Sequence, residues 1–195
     1  MAILIQTFHT GQAALYAEEL AHLRIELFKD FPYLYDGSMD YEEKYLQTLI
    51  ESPENTIVMA FDDGKLVGAA TGLPLRYQTI NIQQPYLEKG YDIDRIYYLG
   101  ESIIRKTHRG QGIGKAFFQT REERAKGLGW YDFVTFCNIE RPVEYPPTYV
   151  APDEFWKSMG YRPTDLLCEI SWKDLNETDE TPKKLRFWLK DIDNR

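Results

Sequence analysis

Cysteine and histidine, the side chains that bind transition metals most often, are scarce in this 195-residue chain, which has two cysteines and three histidines. The two cysteines, Cys137 and Cys168, are too few for a disulfide framework, so we expect a reducing, cytoplasmic location. The histidines do not combine with cysteines or carboxylates at the spacings that zinc sites use. We therefore expect no metal site.

Long apolar runs and an excess of basic residues are missing as well. No run approaches the roughly 20 apolar residues that a membrane-spanning helix needs, and the opening MAILIQTFHT lacks the basic start and long apolar centre of a signal peptide. The 31 acidic residues outnumber the 23 basic ones, for a formal net charge of -8. Because an acidic surface repels phosphate polyanions, we expect neither nucleic acid nor a membrane as a partner.

The composition, 43% apolar and 14% aromatic, is typical of a globular protein. The length suffices for one core, so we expect a single domain over residues 1–195. In the first half, apolar residues recur at helical spacing over 13–27, and Asp40 is a candidate N-cap for a second, short helix. Strand-like runs at 56–61 and 65–73 are joined by a turn sequence.

The middle of the chain contains an irregular segment and then a buried strand. Residues 74–94 are polar and interrupted by proline, which predicts irregular structure. The stretch RIYYLGESIIRK, residues 95–106, is predicted to be a strand. Alternation places Tyr97, Leu99 and Ile103 on one face and Ile96, Tyr98 and Ile104 on the other. Since both faces are apolar, the strand should lie at the centre of a sheet that is covered on both sides.

The second half begins with a strand–helix–strand unit, with the helix over 113–128 and the next strand over 131–137. Two strands joined in this way are parallel neighbours. A loop at 141–150 and a short helix that Pro152 opens follow. Strands at 166–172 and 184–190 then form an antiparallel pair. The order of elements predicts an α/β fold with a mixed sheet.

The glycine loop, HRGQGIGKAF at residues 108–117, lies between the central strand and the long helix. A Walker A loop needs glycine five positions before its Gly-Lys pair, where this chain has Arg109. The GxGxxG fingerprint of dinucleotide-binding folds needs glycine at position 115 or 117, where the chain has lysine and phenylalanine. Both of these phosphate-binding patterns therefore fail.

The glycine loop still has the chemistry of a pyrophosphate site. Gly110, Gly112 and Gly114 remove Cβ atoms where backbone N–H groups converge. The helix start adds unpaired N–H donors and a partial positive charge. These features favour an anion at the loop; the alternative is a turn that serves only close packing of the strand against the helix.

The segment Arg109-Gly-Gln-Gly112-Ile-Gly114 resembles the [Q/R]-x-x-G-x-[G/A] signature of the GNAT superfamily of acyl-CoA-dependent N-acyltransferases. The order of elements, through residues 155–161, is similar to that family over most of the chain. The resemblance implies a mixed sheet of about seven strands with a splayed parallel pair and flanking helices. It implies acetyl-CoA as co-substrate, no metal, and direct acetyl transfer to an amine of a small molecule or to an exposed amino group.

The resemblance also implies which residues bind the coenzyme. The pantetheine arm is expected to form hydrogen bonds with the backbone of Ile103, Ile104 and Arg105, and an N–H near Ile104 is expected to stabilise the oxyanion. The pyrophosphate is expected on the loop residues Arg109, Gly110, Gln111, Gly112, Ile113, Gly114 and Lys115.

Glu101 is the first candidate for a catalytic side chain. It interrupts an apolar strand face, where burial should raise its pKa and make it a general base for an ammonium substrate. An equally good interpretation is an acid that is paired with an arginine.

The general acid is where the chain departs from the family. Trp156 occupies the position of the tyrosine that reprotonates the leaving thiolate. Tyr149 or Tyr145, in the loop before it, could substitute, or the thiol, with a pKa near about 8.5, could leave without an acid. The departure motivates an alternative function, a CoA-binding module with little or no catalysis. In such a fold the terminal strands lie near a sheet edge, so a homodimer formed through them is a further expectation.

Overall fold

The structure, a computed structural model, describes residues 3–192. Its strands are β1 (Leu4–Phe8), β2 (Thr56–Asp62), β3 (Lys65–Pro74), β4 (Ile96–Ile104), β5 (Phe133–Ile139), β6 (Arg162–Trp172) and β7 (Thr181–Asp191). Its α-helices are α1 (Ala17–Phe28), α2 (Met39–Glu51), α3 (Ile80–Glu88), α4 (Ile113–Leu128) and α5 (Asp153–Ser158). The α/β class and the seven-stranded mixed sheet are confirmed.

The sheet has the strand order β1-β2-β3-β4-β5-β7-β6, so β4 is the central strand, as predicted. The β4 and β5 strands run parallel, and the other neighbouring pairs are antiparallel. The parallel pairing covers three residues, from Ile96 opposite Phe133 to Tyr98 opposite Thr135. Beyond Tyr98 the two strands separate, and we call the space between them the β4–β5 gap. The predicted terminal hairpin forms one edge of the sheet, with β6 outermost.

Helices cover both faces of the sheet. On one face, α1, α2 and α3 pack against the sheet through a core that includes Leu20, Leu46 and Tyr86. On the other face, α4 and α5 enclose aromatic side chains around Phe118 and Trp156. Apolar burial on both faces explains why β4 carries few charged residues.

One extra residue in β4 changes which side chains share a face. Against β3, Ala70 lies opposite Ser102 and Gly72 lies opposite Leu99, so two residues of β4 face Thr71 alone. This β-bulge shifts the alternation by one residue. The prediction that Leu99 and Ile103 share a face is therefore wrong: Leu99 packs on the α4 side and Ile103 on the α1 side.

Glycine is required at the bulge. A Cβ atom on Gly100 would lie 2.4 Å from Thr71 Oγ1, a distance that side chains do not tolerate. Glu101, the next residue, consequently points to the same face as Ile103, towards α1 and α2.

Three local predictions differ from the structure. The first helix starts at Ala17, after a 3-10 turn over Gln12–Tyr16. The α2 helix is capped by Ser38, whose Oγ accepts from Tyr41 N, and Asp40 lies in its first turn. The segment predicted to be irregular contains α3, an amphipathic helix that buries Ile82 and Tyr86. The sequence did not indicate this helix because Pro85 lies inside it, and proline is unfavourable within helices.

Candidate active site

The glycine loop leaves an open, donor-rich helix start. Gly110 and Gly112 have φ values of +75° and +82°, in the left-handed region, and no heavy atom lies within 4 Å of a Cβ placed on either. Gly112 is the N-cap of α4, where the structure shows no side-chain cap and no acidic residue in the first turn. The first N–H groups of a helix without a cap have no partner within it. Together with the helix dipole they favour an anion at this position.

Two side chains of the glycine loop hold it against the preceding backbone. Arg109 Nε donates to the Ile104 carbonyl at 3.1 Å, and Gln111 Nε2 donates to the Thr107 carbonyl at 3.3 Å. Ile113 is buried against the sheet, whereas Lys115 is exposed. The structure therefore brings the seven predicted loop residues around a single helix start.

The backbone of β4 offers polar groups to the gap at alternate residues. The N–H of Arg105 donates to the Val67 carbonyl at 2.9 Å, and its carbonyl accepts from His108 N at 2.8 Å. Because the backbone groups of successive strand residues point to opposite sides, those of Ile103 also face β3. Those of Ile104 and Ser102 face the gap, and Ser102 is exposed although it lies in the central strand. Sequence reasoning missed Ser102, because the backbone direction depends on the pairing with β3.

Glu101 is held by a group of buried side chains that we call the Arg24 cluster. Arg24 Nη1 lies 2.5 Å from Glu101 Oε1, and Arg24 Nε lies 2.5 Å from Glu42 Oε2. The Tyr45 and Thr71 hydroxyls both donate to Glu101 Oε2, at 3.2 and 3.1 Å. The Glu101 side chain is 6% exposed, the Arg24 side chain 9% and the Glu42 side chain 0%.

These contacts set the ionisation of Glu101. Burial is the largest influence and by itself raises the pKa, but the charge and hydrogen bond of Arg24, with the bond from Thr71, hold the pKa of Glu101 below its ordinary value. The prediction that burial raises this pKa is therefore wrong, and the alternative, pairing with an arginine, is what the structure shows. Burial by itself lowers the pKa of Arg24, and the charges of Glu101 and Glu42 raise it.

A second arginine supports the bulge from the α4 side. Arg121 is fully buried, and its Nη1 donates to the carbonyls of Thr71 and Glu101 at 2.8 and 3.2 Å. Its Nη2 donates to Ser102 Oγ at 2.6 Å. Burial lowers the pKa of Arg121 to about 10, so the guanidinium stays charged at neutral pH. Arg121 therefore fixes the strand from which Glu101 projects.

Three distant segments form a roof over the α1 side of the gap: residues 29–38, residues 140–152 and the β6–β7 connection. Arg141 joins them, with its Nη1 2.5 Å from Asp174 Oδ2 and its Nε donating to the Pro32 carbonyl at 2.7 Å. The Tyr33 carbonyl accepts from Arg141 Nη2 at 2.5 Å and from Trp172 Nε1 at 3.1 Å. The roof is therefore held by a nearly buried ion pair.

Tyr149 is part of the roof. Its ring contacts the rings of Phe31 and Tyr145, with centroid distances of 4.9 and 5.4 Å. The pKa of Tyr149 is raised, mainly by burial and to a smaller extent by the neighbouring Tyr145. It lines a cavity of about 300 Å³. Another tyrosine, Tyr33, reaches β5 and donates to Asn138 Oδ1 at 3.4 Å.

Trp156 and Cys137 have structural surroundings. The Trp156 ring packs against Phe136 and Trp188 with centroids 4.9 and 5.0 Å apart, which explains a tryptophan at this position. Cys137 packs at the edge of the core, where the Tyr98 hydroxyl lies 3.1 Å from its Sγ. Hydrogen bonds from Cys168 and Tyr98 lower the pKa of Cys137.

Comparison with known proteins agrees with this architecture. Residues 20–142 match the model of the acetyltransferase (GNAT) family. A search of curated proteins found no match. The chain is similar in structure to an N-acetyltransferase from Staphylococcus aureus Mu50, with 12% identity, a TM-score of 0.63, and 99% of this chain and 100% of the other covered.

Two further solved structures are similar. The ribosomal-protein-alanine N-acetyltransferase of Brucella melitensis is 13% identical, with a TM-score of 0.63 and coverage of 97% of this chain and 99% of the other. The yncA acetyltransferase of Salmonella typhimurium, solved with its cofactor acetyl-CoA, is 11% identical, with a TM-score of 0.61 and coverage of 100% and 96%.

The chain belongs to the GNAT acetyltransferase family. It is an acyltransferase, and acetyl-CoA is its co-substrate. Among residues 3–192 no group of three or more histidine, cysteine, aspartate or glutamate side chains is arranged to hold a metal ion. No helix in the same range has the length and apolarity to cross a membrane.

Proposed function

We propose that the protein transfers the acetyl group of acetyl-CoA directly to an amine, of a small molecule or an exposed amino group, at the β4–β5 gap. The observation that carries this proposal is the open start of α4 beside the gap, where Gly110 and Gly112 leave backbone donors accessible. An anion bound there would place the chain attached to it along the exposed edge of β4.

Each part of the site then has a role. The N–H groups of residues 112–115 hold the pyrophosphate, and exposed Arg109 and Lys115 supply positive charge at its edge. The backbone groups of Ile104 and Ser102 that face the gap bind the amides of the pantetheine arm. An N–H of β4 stabilises the oxygen of the thioester carbonyl as the amine attacks. Acetyl-CoA supplies the activated acetyl group, and the protein contributes orientation and charge.

The two catalytic candidates face this path from the roof side. Glu101 is a buried carboxylate beside the bulge, paired with Arg24, and is proposed to stabilise positive charge on an acceptor nitrogen. Tyr149, whose raised pKa keeps its hydroxyl protonated at neutral pH, is the proposed donor to the leaving thiolate.

Calorimetry with CoA, ATP and NAD, followed by thiol release from acetyl-CoA with a panel of amines, tests the proposal. We expect CoA to bind, ATP and NAD to bind much more weakly, and at least one amine to release thiol above the rate without an amine. Equal binding of ATP would contradict the pantetheine path along β4. Tight CoA binding without thiol release from any amine would favour a CoA-binding module with little or no catalysis.

A further inference from the structure

Every oxygen of the Glu101 carboxylate is engaged by a neighbour. Oε1 faces the Arg24 guanidinium at 2.5 Å, and Oε2 accepts hydrogen bonds from Tyr45 and Thr71. A carboxylate that accepts two hydrogen bonds and lies against a guanidinium is stabilised as the anion and has little affinity for a proton. That is the opposite of what a general base for an ammonium group requires.

Arg24 cannot turn away from Glu101 to release it. Its Nε is paired with the fully buried Glu42, and its guanidinium lies over the rings of Tyr45 and Phe28, 4.3 and 5.1 Å from their centroids. A guanidinium that is paired on one edge and stacked on a ring has its orientation fixed. Glu42 and Glu101 thus hold the guanidinium from two sides.

We propose that Arg24 is a positioning residue that fixes Glu101 as a permanent anion beside the β4–β5 gap, so that Glu101 stabilises positive charge on the acceptor nitrogen without taking its proton. Acceptors are then amines of low basicity, such as the α-amino group of a peptide. This inference rests on the proposed acetyl transfer at the gap.

The protons and bonds balance without a basic side chain. The acceptor R–NH3+ loses one proton to water before it attacks. The neutral nitrogen then forms a bond to the acetyl carbon, and the bond from that carbon to sulfur breaks. A second proton leaves the nitrogen and is transferred to the departing sulfur, which becomes the thiol of CoA. An ionised Glu101 lowers the free energy of the step in which nitrogen carries positive charge.

The acceptor class follows from the first of these steps. An α-amino group has a pKa of about 7.7–8.0 and a lysine side chain about 10.4. At pH 7.5 about a third of the α-amino groups but only about one in a thousand lysine side chains are neutral, from the same values. If Glu101 does not take the proton, an alkylamine reaches it mostly in the protonated, unreactive form.

Several charged or titratable groups face Glu101 from the surrounding elements: Arg24 from α1, Glu42 and Tyr45 from α2, Tyr33 from the roof and Arg121 from α4. Burial raises the pKa of both tyrosines, so they stay neutral through the working range. Glu101, whose pKa is lowered, protonates only below its ordinary value of 4.5.

The ionisation of Glu101 can be measured without knowing the acceptor. We would label the glutamate side-chain carboxyls with 13C, assign Glu101 through Glu101→Gln, and follow its NMR signal with pH. We expect the wild-type signal to titrate below pH 4.5 and the Arg24→Met signal to move at least one pH unit higher, with Arg24→Lys close to wild type. Arg95→Met, which removes an exposed arginine paired with Asp132, is the matched control and should leave the signal unchanged.

An unchanged Glu101 titration in Arg24→Met, or a wild-type value above 5, would overturn the proposal. If Arg24→Met does not fold, because it leaves two buried carboxylates unpaired, the double variant Arg24→Met/Glu42→Gln replaces it. CoA binding, measured on the same samples, reports on the proposed function separately.

Two peptides that differ only in which amine is free test the acceptor class. One is an Ala-Lys amide with its ε-amino group acetylated, and the other is the same peptide with its α-amino group acetylated. We expect kcat/KM at pH 7.5 to be at least tenfold higher for the free α-amino group. A higher rate with the free lysine side chain, or no transfer to either peptide, would reject the acceptor class, and the NMR titration would still decide the role of Arg24.

Discussion

The glycine loop and the Arg24 cluster lie at the two ends of the same stretch of β4 and bind charge in opposite ways. The loop has no side chain within 4 Å of a Cβ at Gly110 or Gly112, and its binding groups are backbone donors. The cluster is packed with side chains, and each oxygen of Glu101 has a partner. An open backbone site binds a ligand anion, whereas a closed side-chain cluster fixes a charge of the protein's own.

We expect the largest effect from placing a charged side chain in the glycine loop. In Gly112→Asp a carboxylate lies where the pyrophosphate is proposed to bind, so we expect calorimetry to show at least a hundredfold loss of CoA affinity. Gly129→Asp is the matched control, because Gly129 has a φ of +83° and caps the other end of α4. Both variants carry the same backbone strain. An equal loss of affinity in the two would show that strain, and not charge, acts at Gly112.

Beside the Arg24 cluster, a single methyl group added to Gly100 should disturb the β-bulge of β4. In Gly100→Ala the new Cβ would lie 2.4 Å from Thr71 Oγ1, which displaces a donor to Glu101. We expect urea unfolding to show a loss of about 1–3 kcal/mol. In the control Gly127→Ala no heavy atom lies within 4 Å of the new Cβ, and a helical alanine should gain about 0.5–1 kcal/mol. Wild-type stability in Gly100→Ala would mean that the bulge is not constrained by Thr71.

The smallest effect is expected at the roof. Tyr149→Phe removes the proposed proton donor, but a thiol with a pKa near about 8.5 is a tolerable leaving group. We therefore expect kcat to fall by less than about tenfold. Tyr145→Phe, a change in the adjacent and more exposed ring, should leave kcat unchanged. If Tyr149→Phe keeps the full kcat, Tyr149 has no part in the reaction.

The contrast also explains which parts of the site the sequence could predict. The glycine loop is contiguous, so its spacing alone identifies both the helix start and the backbone donors. The order of strands and helices follows from periodicity, and the central place of β4 follows from its apolar faces. These predictions depend on local sequence. The structure confirms the start of α4, the central strand and the order of the predicted elements, and it adds β1 and α3.

The Arg24 cluster could not be predicted in the same way. Arg24, Glu42 and Glu101 are far apart in the chain, and only the packing of α1 and α2 on β4 brings them together. The bulge at Gly100 also depends on the pairing with β3 and reverses the faces of the strand beyond it. Simple alternation therefore placed Ile103 on the wrong side. The pKa direction of Glu101 was wrong because burial was considered without Arg24. The sequence did not predict α3 because Pro85 lies inside it and proline is unfavourable within helices.

The contacts of Arg141 suggest which segment of the enzyme could change without disturbing the glycine loop. Its guanidinium joins the α1–α2 connection to Asp174 beside the terminal hairpin, while the glycine loop lies outside these contacts. The segments proposed to lie over the acceptor are thus tied to one another by Arg141, through contacts that include no residue of the glycine loop. We expect an exchange of residues 140–152, together with their Asp174 anchor, to change the choice of acceptor while calorimetry still shows CoA binding.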